Sequence, residues 1–144
     1  MNAPDPHFAS RVRESFGRQK AMALIGASLT SVRAGEVEIA LPYREDLTQQ
    51  KGFIHGGILG MIADTACGYA AFSLMPAGGS LVTVEYKMNI LKPGRGSLVA
   101  KAKVIRPGRT LTVARAEVYA DDGSHVATML QTLMALPGRP DTPE

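Results

Sequence analysis

Asp64 is the only charged residue in a run that is otherwise apolar or small, almost without a break, from Ile58 to Met75. A polar group buried without partners costs on the order of 2–7 kcal/mol. A carboxyl in this position therefore has to be paired, neutralised or used. In use, it would be a general base for water or a nucleophile on a carbonyl carbon. Eight residues upstream the run opens on Gly56-Gly57. Glycine lets backbone approach a ligand closely, and the first amides of a helix point outwards and attract negative charge. Such amides bind anions or polarise a carbonyl oxygen. A carboxylate and an oxyanion donor thus share one short segment. His55, just ahead of the glycines, is a further candidate base. Each residue also has a plainer reading: Asp64 as a cap or an ion-pair partner, Gly56-Gly57 as turn glycines, His55 as a ring bonded to its own loop.

A helix that is apolar all round must be buried all round, and Pro76 stops this one. Other elements must wrap it. Phe8, Val12, Phe16 and Met22–Leu24 fall at roughly helical spacing, which predicts an amphipathic helix from Pro6 to about Ile25, broken near Gly17 and ended by Gly26. Two strand-like runs, 27–33 and 36–41, flank Ala34-Gly35, and a polar loop covers 42–50. Four more strands are predicted at 80–91, 97–105, 110–120 and 124–136, separated by Lys92-Pro-Gly-Arg-Gly96, Arg106-Pro-Gly-Arg109 and Asp121-Asp-Gly123. In the first of these, Val82, Val84, Tyr86, Met88 and Ile90 alternate with Thr83, Glu85, Lys87 and Asn89. The alternation puts Thr83 on the face away from Val82 and Val84. Short turns predict that the last four strands are antiparallel neighbours. The result is an α+β domain, an antiparallel sheet curled around one helix. One sheet cannot cover a helix on every side, so at least a homodimer is expected. Residues 1–144 read as one domain, with a core of about 16–136 and loose tails at 1–5 and 137–144.

Composition narrows the class. The chain is 45% hydrophobic and 20% charged, a globular balance, with a net charge of +3. That mild positive charge suits small anions but brings no Lys/Arg block or aromatic platform for nucleic acid. Cys67 is the single cysteine, so there is no internal disulfide and no cysteine metal cage. No metal-binding, nucleotide-binding or serine-hydrolase signature occurs. The first ten residues carry no apolar signal region, and the reading is a cytoplasmic protein that does not span a membrane.

The segment Gly52-Phe-Ile-His55-Gly-Gly, followed after six residues by Asp64-Thr-Ala-Cys-Gly68-Tyr-Ala, resembles the hotdog-fold acyl-CoA thioesterases of the PaaI-like group. Phe16-Gly-Arg-Gln-Lys-Ala-Met, Thr48-Gln-Gln and Cys67-Gly-Tyr-Ala-Ala-Phe-Ser-Leu-Met-Pro76 bring it closer to the YigI-like medium- and long-chain enzymes. The resemblance runs from about Phe16 to Leu136. It implies a sheet wrapped around a central helix, with two subunits joined sheet edge to sheet edge. It matches Asp64 to the catalytic carboxylate and Gly56 to the residue whose N–H polarises the thioester carbonyl, the two coming from opposite subunits. Gln49 stands where many members have an Asn that positions water or thioester, and Thr83 where some have a Ser that orients the water. CoA is then part of the substrate and no separate cofactor is implied. Gly57 at the helix start, with Lys92, Arg106 and Arg109 in the two Pro-Gly turns, is a candidate substrate contact, the basic three for the CoA phosphates. Met61, Phe72 and Met75 are candidates to line the acyl channel. The partners implied are acyl-CoA and a second copy of the chain, with a dimer of dimers left open.

Two other functions fit the same residues. A hotdog dehydratase or hydratase would need a His and an acid at the α and β carbons, and His55 is available. A non-catalytic acyl-CoA-binding module would keep the glycine start and have no use for Asp64; an Asp64 held in a salt bridge away from any cavity would favour it.

Overall fold

A computed structural model describes residues 1–143. Its centre is helix α3, Gly56–Phe72, preceded in the chain by α1 (Phe8–Gly17), α2 (Lys20–Ile25), β1 (Ser28–Arg33) and β2 (Glu36–Leu41). It is followed by β3 (Ser80–Ile90), β4 (Leu98–Arg106), β5 (Leu111–Ala120) and β6 (His125–Leu136). Gly26 ends α2 in the left-handed region, at φ 77°, as the sequence predicts. Along α3, ten of 17 residues are buried, among them Leu59, Ile62, Ala63, Ala66 and Phe72. The helix stops four residues short of Pro76. Turn bonds carry on from there to Met75, whose N–H donates to Phe72 O at 3.1 Å; the Ser73 hydroxyl donates to Ala70 O at 2.7 Å, and Arg11 donates to Met75 O at 2.7 Å. The Arg11 guanidinium lies 4.4 Å from the centre of the Phe72 ring. Among the described residues no helix is long and apolar enough to cross a membrane.

The six strands form one antiparallel sheet in the order β1-β2-β4-β5-β6-β3. The last four strands are neighbours in the sheet, as expected, but not in chain order, because β3 lies beyond β6 instead of beside β4. β3 pairs with β6 and β4 with β2, so the Leu91–Ser97 connection crosses over instead of forming a hairpin. The crossing runs past the start of α3, where Ile54 N–H donates to Gly94 O at 2.8 Å. The crossover places β4 between β2 and β5. It lets β2, β4 and β5 bury Val37, Ile39, Ala100, Ala102, Ala114 and Ala116 in the common core. The many alanines on these strands let the sheet close around α3.

β3 corrects a second expectation. Thr83 pairs with Leu133 and Glu85 with Thr132, so Val84 is an extra, bulged residue. A bulge advances the strand by one residue and reverses which side chains face inward. Leu81 and Thr83 face α3 before the bulge, beside the inward Ala135 and Leu133. Tyr86, Met88 and Ile90 face it afterwards, beside Gln131, Met129 and Ala127. Val82 and Val84 do not join that face and are 42% and 53% exposed.

The chain ends, read as loose, each carry an acid that binds back to the N-terminal helix. Asp5 accepts from Arg11 Nε at 2.8 Å, a contact that holds its carboxyl below the usual range. Asp141 binds Ser15 and Arg18. Glu144, the end of the predicted tail, lies outside the described residues.

Candidate active site

The two groups singled out by the sequence sit at different levels of α3. Asp64 occupies its middle, turned towards β3 and β6. The Thr83 hydroxyl donates to Asp64 Oδ1 at 2.8 Å, and Gln131 Nε2 donates to the same oxygen. An ionised carboxylate has acceptors only, and both neighbours supply donors. The Val84 bulge is what turns Thr83 to this side. Gln131 is fully buried, and among the described residues its Oε1 has no partner. Asp64 forms no ion pair among the described residues. It lines a chamber of about 160 Å³ with Thr65, Gly68, Phe72, Leu81 and Thr83. A side chain at Gly68 would meet open space, so this glycine keeps the chamber clear.

At the other level, His55 caps the helix. Its Nδ1 accepts from Gly57 N–H at 2.8 Å, and its carbonyl accepts from Ile58 and Leu59 N–H at 2.9 and 3.2 Å. A Cβ on Gly57 would lie 3.0 Å from that ring nitrogen, which is why the position is glycine. The Gly57 amide is therefore engaged within the chain. Gly56 N–H has no partner among the described residues and is the free donor of the helix start. Gly56 opens on a cavity of about 340 Å³ shared with Gln49, Phe53, Leu59, Ile90 and Lys92. The Gln49 Oε1 folds back to accept from Lys51 N–H, leaving its NH₂ group as donor.

Gly56 and Asp64 are eight residues apart, about 12 Å along the helix axis. Within one chain, that separation is too long for a base and an oxyanion donor to serve the same carbonyl carbon. The basic candidates divide as well. Lys92 shares the Gly56 cavity, whereas Arg109 lines a separate cavity of about 630 Å³ at the C-terminal end of α3, with Leu74, Met75 and Pro76. Arg106 ends β4 on the same side and is exposed. Phe72 lines the Asp64 chamber and Met75 the distant cavity, while Met61 lines neither. Cys67 is fully buried, and that burial, with the nearby Asp64 charge, drives its thiol pKa far up.

Two residues were missed in the sequence. Gln131 carries a signal: it is the lone polar member of the inward set Ala127, Met129 and Leu133. Arg95 carries none beyond its turn. Its guanidinium lies 4.5 Å over the Phe53 ring, at the edge of the Gly56 cavity.

A curved six-stranded sheet around a buried helix, with a carboxylate in mid-helix and a free amide at the helix start, defines a hotdog-fold α+β domain. Residues 51–127 match the model of the Thioesterase superfamily, and the chain belongs to that family. A thioesterase family protein from Silicibacter pomeroyi is 50% identical, with a TM-score of 0.88 over 91% of this chain and 99% of that one. The PaaI protein of the E. coli phenylacetic acid degradation operon shares the fold at 23% identity, TM-score 0.84, over 93% of this chain and 97% of that one. A Halobacterium salinarum protein provisionally named as an esterase is 35% identical over 56% of this chain and 57% of its own length. The chain spans about half the length of the curated relatives it matches.

Proposed function

We propose that this protein hydrolyses acyl-CoA thioesters to free acid and CoA, at sites shared between two subunits. The observation that carries the reading is the state of its two key groups. Asp64 is free of ion pairs among the described residues, held by two donors and open to a chamber, while Gly56 keeps an unused N–H. A binding module has no need of the first feature. A dehydratase would call on His55, whose Nδ1 is already committed to Gly57.

In the proposed reaction, the thioester oxygen lies at Gly56 N–H and at the positive end of α3, where charge develops as the tetrahedral intermediate forms. Asp64 removes a proton from water, which adds to the carbonyl carbon. The C–S bond then breaks, and the thiolate leaves and takes up a proton. Direct attack by Asp64 would instead form an acyl-enzyme anhydride that water cleaves. Gln49 and Thr83 orient water or thioester, and Lys92 meets the CoA phosphates. Arg106 and Arg109 would reach CoA only from the partner subunit.

The 12 Å separation is bridged if Asp64 of one subunit faces Gly56 of the other. β3 supports that pairing. It is an edge strand of 11 residues with Val82, Val84, Tyr86 and Ile90 each more than 40% exposed, and Thr83 brings Asp64 close to it. Long apolar edges of this kind invite pairing with another strand.

The test is complementation. Asp64→Asn and Gly56→Pro are each expected to lower thiol release from acyl-CoA by about a hundredfold or more. Proline suits the first helical position and removes its N–H, and His55, at φ −56° and ψ 136°, already has the backbone a following proline needs. Mixing the two variants and allowing exchange should restore roughly a quarter of wild-type activity, since half the dimers would carry one intact site. No recovery in demonstrated mixed dimers would sink the shared site.

A further inference from the structure

The chamber beside Asp64 does not end in apolar core. Its far wall is Ser15, Gln19, Tyr69, Leu81 and Asp141, and the same five residues line a larger groove of about 670 Å³ on the other side. They are a partition between two spaces. The partition is hydrogen-bonded in one direction. The Ser15 hydroxyl donates to Asp141 Oδ2, which leaves its lone pairs to accept from the Tyr69 O–H at 3.0 Å. Burial pushes the Tyr69 pKa up, which keeps that proton in place. Arg18 clamps the outside, donating to Asp141 O at 2.6 Å and to Oδ2 at 3.2 Å. Asp141 is half-buried, whereas Pro140 and Thr142 on either side of it are exposed.

We infer that Asp141 determines acyl-chain length: by fastening the C-terminal tail to Ser15 and Arg18, it closes the chamber at Asp64 against long aliphatic chains. This rests on the acyl-CoA reading above. With the latch shut, the chamber of about 160 Å³ ends at this wall, so the wall limits how far an acyl chain can extend past Asp64. A longer chain would press its methyl end against Ser15, Gln19, Tyr69 and Asp141 and strip water from polar groups it cannot bond. Releasing the tail joins the chamber to the groove, which continues to Leu136. Long chains then gain apolar surface to cover.

The experiment measures kcat/KM for acetyl-, butyryl-, octanoyl-, lauroyl- and palmitoyl-CoA in the full chain. Asp141→Ala, and independently Arg18→Ala, should raise the lauroyl-to-butyryl ratio by about tenfold or more, equal to about 1.4 kcal/mol of discrimination. Asp141→Asn, which still offers an acceptor to Ser15 and Arg18, should keep the wild-type order of preference. A chain-length profile unchanged in both alanine variants overturns the inference. Binding of laurate and butyrate by calorimetry, in the Asp64→Asn background with and without Asp141→Ala, reads the latch without turnover. Tighter laurate binding on release supports it, and equal binding overturns it. If wild type releases no thiol from any acyl-CoA, the hydrolase reading fails, and the calorimetry still decides the latch.

Discussion

The start of α3 and its middle are built in different ways. The start is local: His55, Gly56 and Gly57 are consecutive, the ring of the first caps the amide of the third, and the remaining amide is left over by that geometry. The middle is assembled across the chain. Asp64 comes from α3, Thr83 from β3 and Gln131 from β6, 67 residues beyond the acid. A local site depends on helix geometry and survives most changes elsewhere. An assembled site depends on register, and one residue of slip in β3 would turn Thr83 away. The donor half is also chemically blunt, because a backbone N–H persists through every substitution except proline. The acid half can be altered atom by atom.

Substitutions can test that contrast. The largest effect is expected for Asp64→Asn, which keeps shape and removes the base: thiol release should fall by about 10²–10⁴-fold, with the melting temperature little changed. Turnover near wild type would leave the middle of α3 without a catalytic role. Gly56→Pro should follow, at about 10²–10³-fold in kcat, the usual cost of one oxyanion donor. A Cβ here lies 3.0 Å from Ile90 Cδ1, so circular dichroism must confirm that the helix start is retained. Gln131→Leu and Thr83→Val each remove one donor to Asp64, a bond to a charged group worth about 1.5–3 kcal/mol. Each should lower kcat by about tenfold or more at 1.4 kcal/mol per factor of ten. If Gln131→Leu is silent, the assembled half is smaller than three residues. The smallest effect is expected for Gln49→Ala, whose side chain is partly spent on its own loop; kcat/KM should drop by less than about tenfold. A larger fall would show that the helix-start half is also assembled from distant residues.

Much of the fold was legible because it follows from local rules. Glu36 to Leu41 alternates and forms β2 with one wet face. The broken N-terminal helix, Gly26 at its end and the position of the central helix follow from spacing and turn chemistry. The order of the strands did not follow. Lys92-Pro-Gly looks like any tight turn, yet β3 pairs with β6 and β4 with β2. The bulge at Val84 was equally hidden, since the composition of β3 alternates without interruption and only pairing with β6 reveals the extra residue.

The sequence by itself determined which residues are candidates for the chemistry and how the central helix begins. Asp64, Gly56 and His55 stand out because an apolar helix leaves few other polar groups, and helix geometry sets their spacing. The tertiary structure decided what surrounds them. It brought Thr83 and Gln131 to the acid, separated Lys92 from Arg106 and Arg109, and fastened Asp141 across the far wall of the chamber. These contacts join residues that are distant in the chain, and their register is set by packing around α3. Local propensity carries no information about that register.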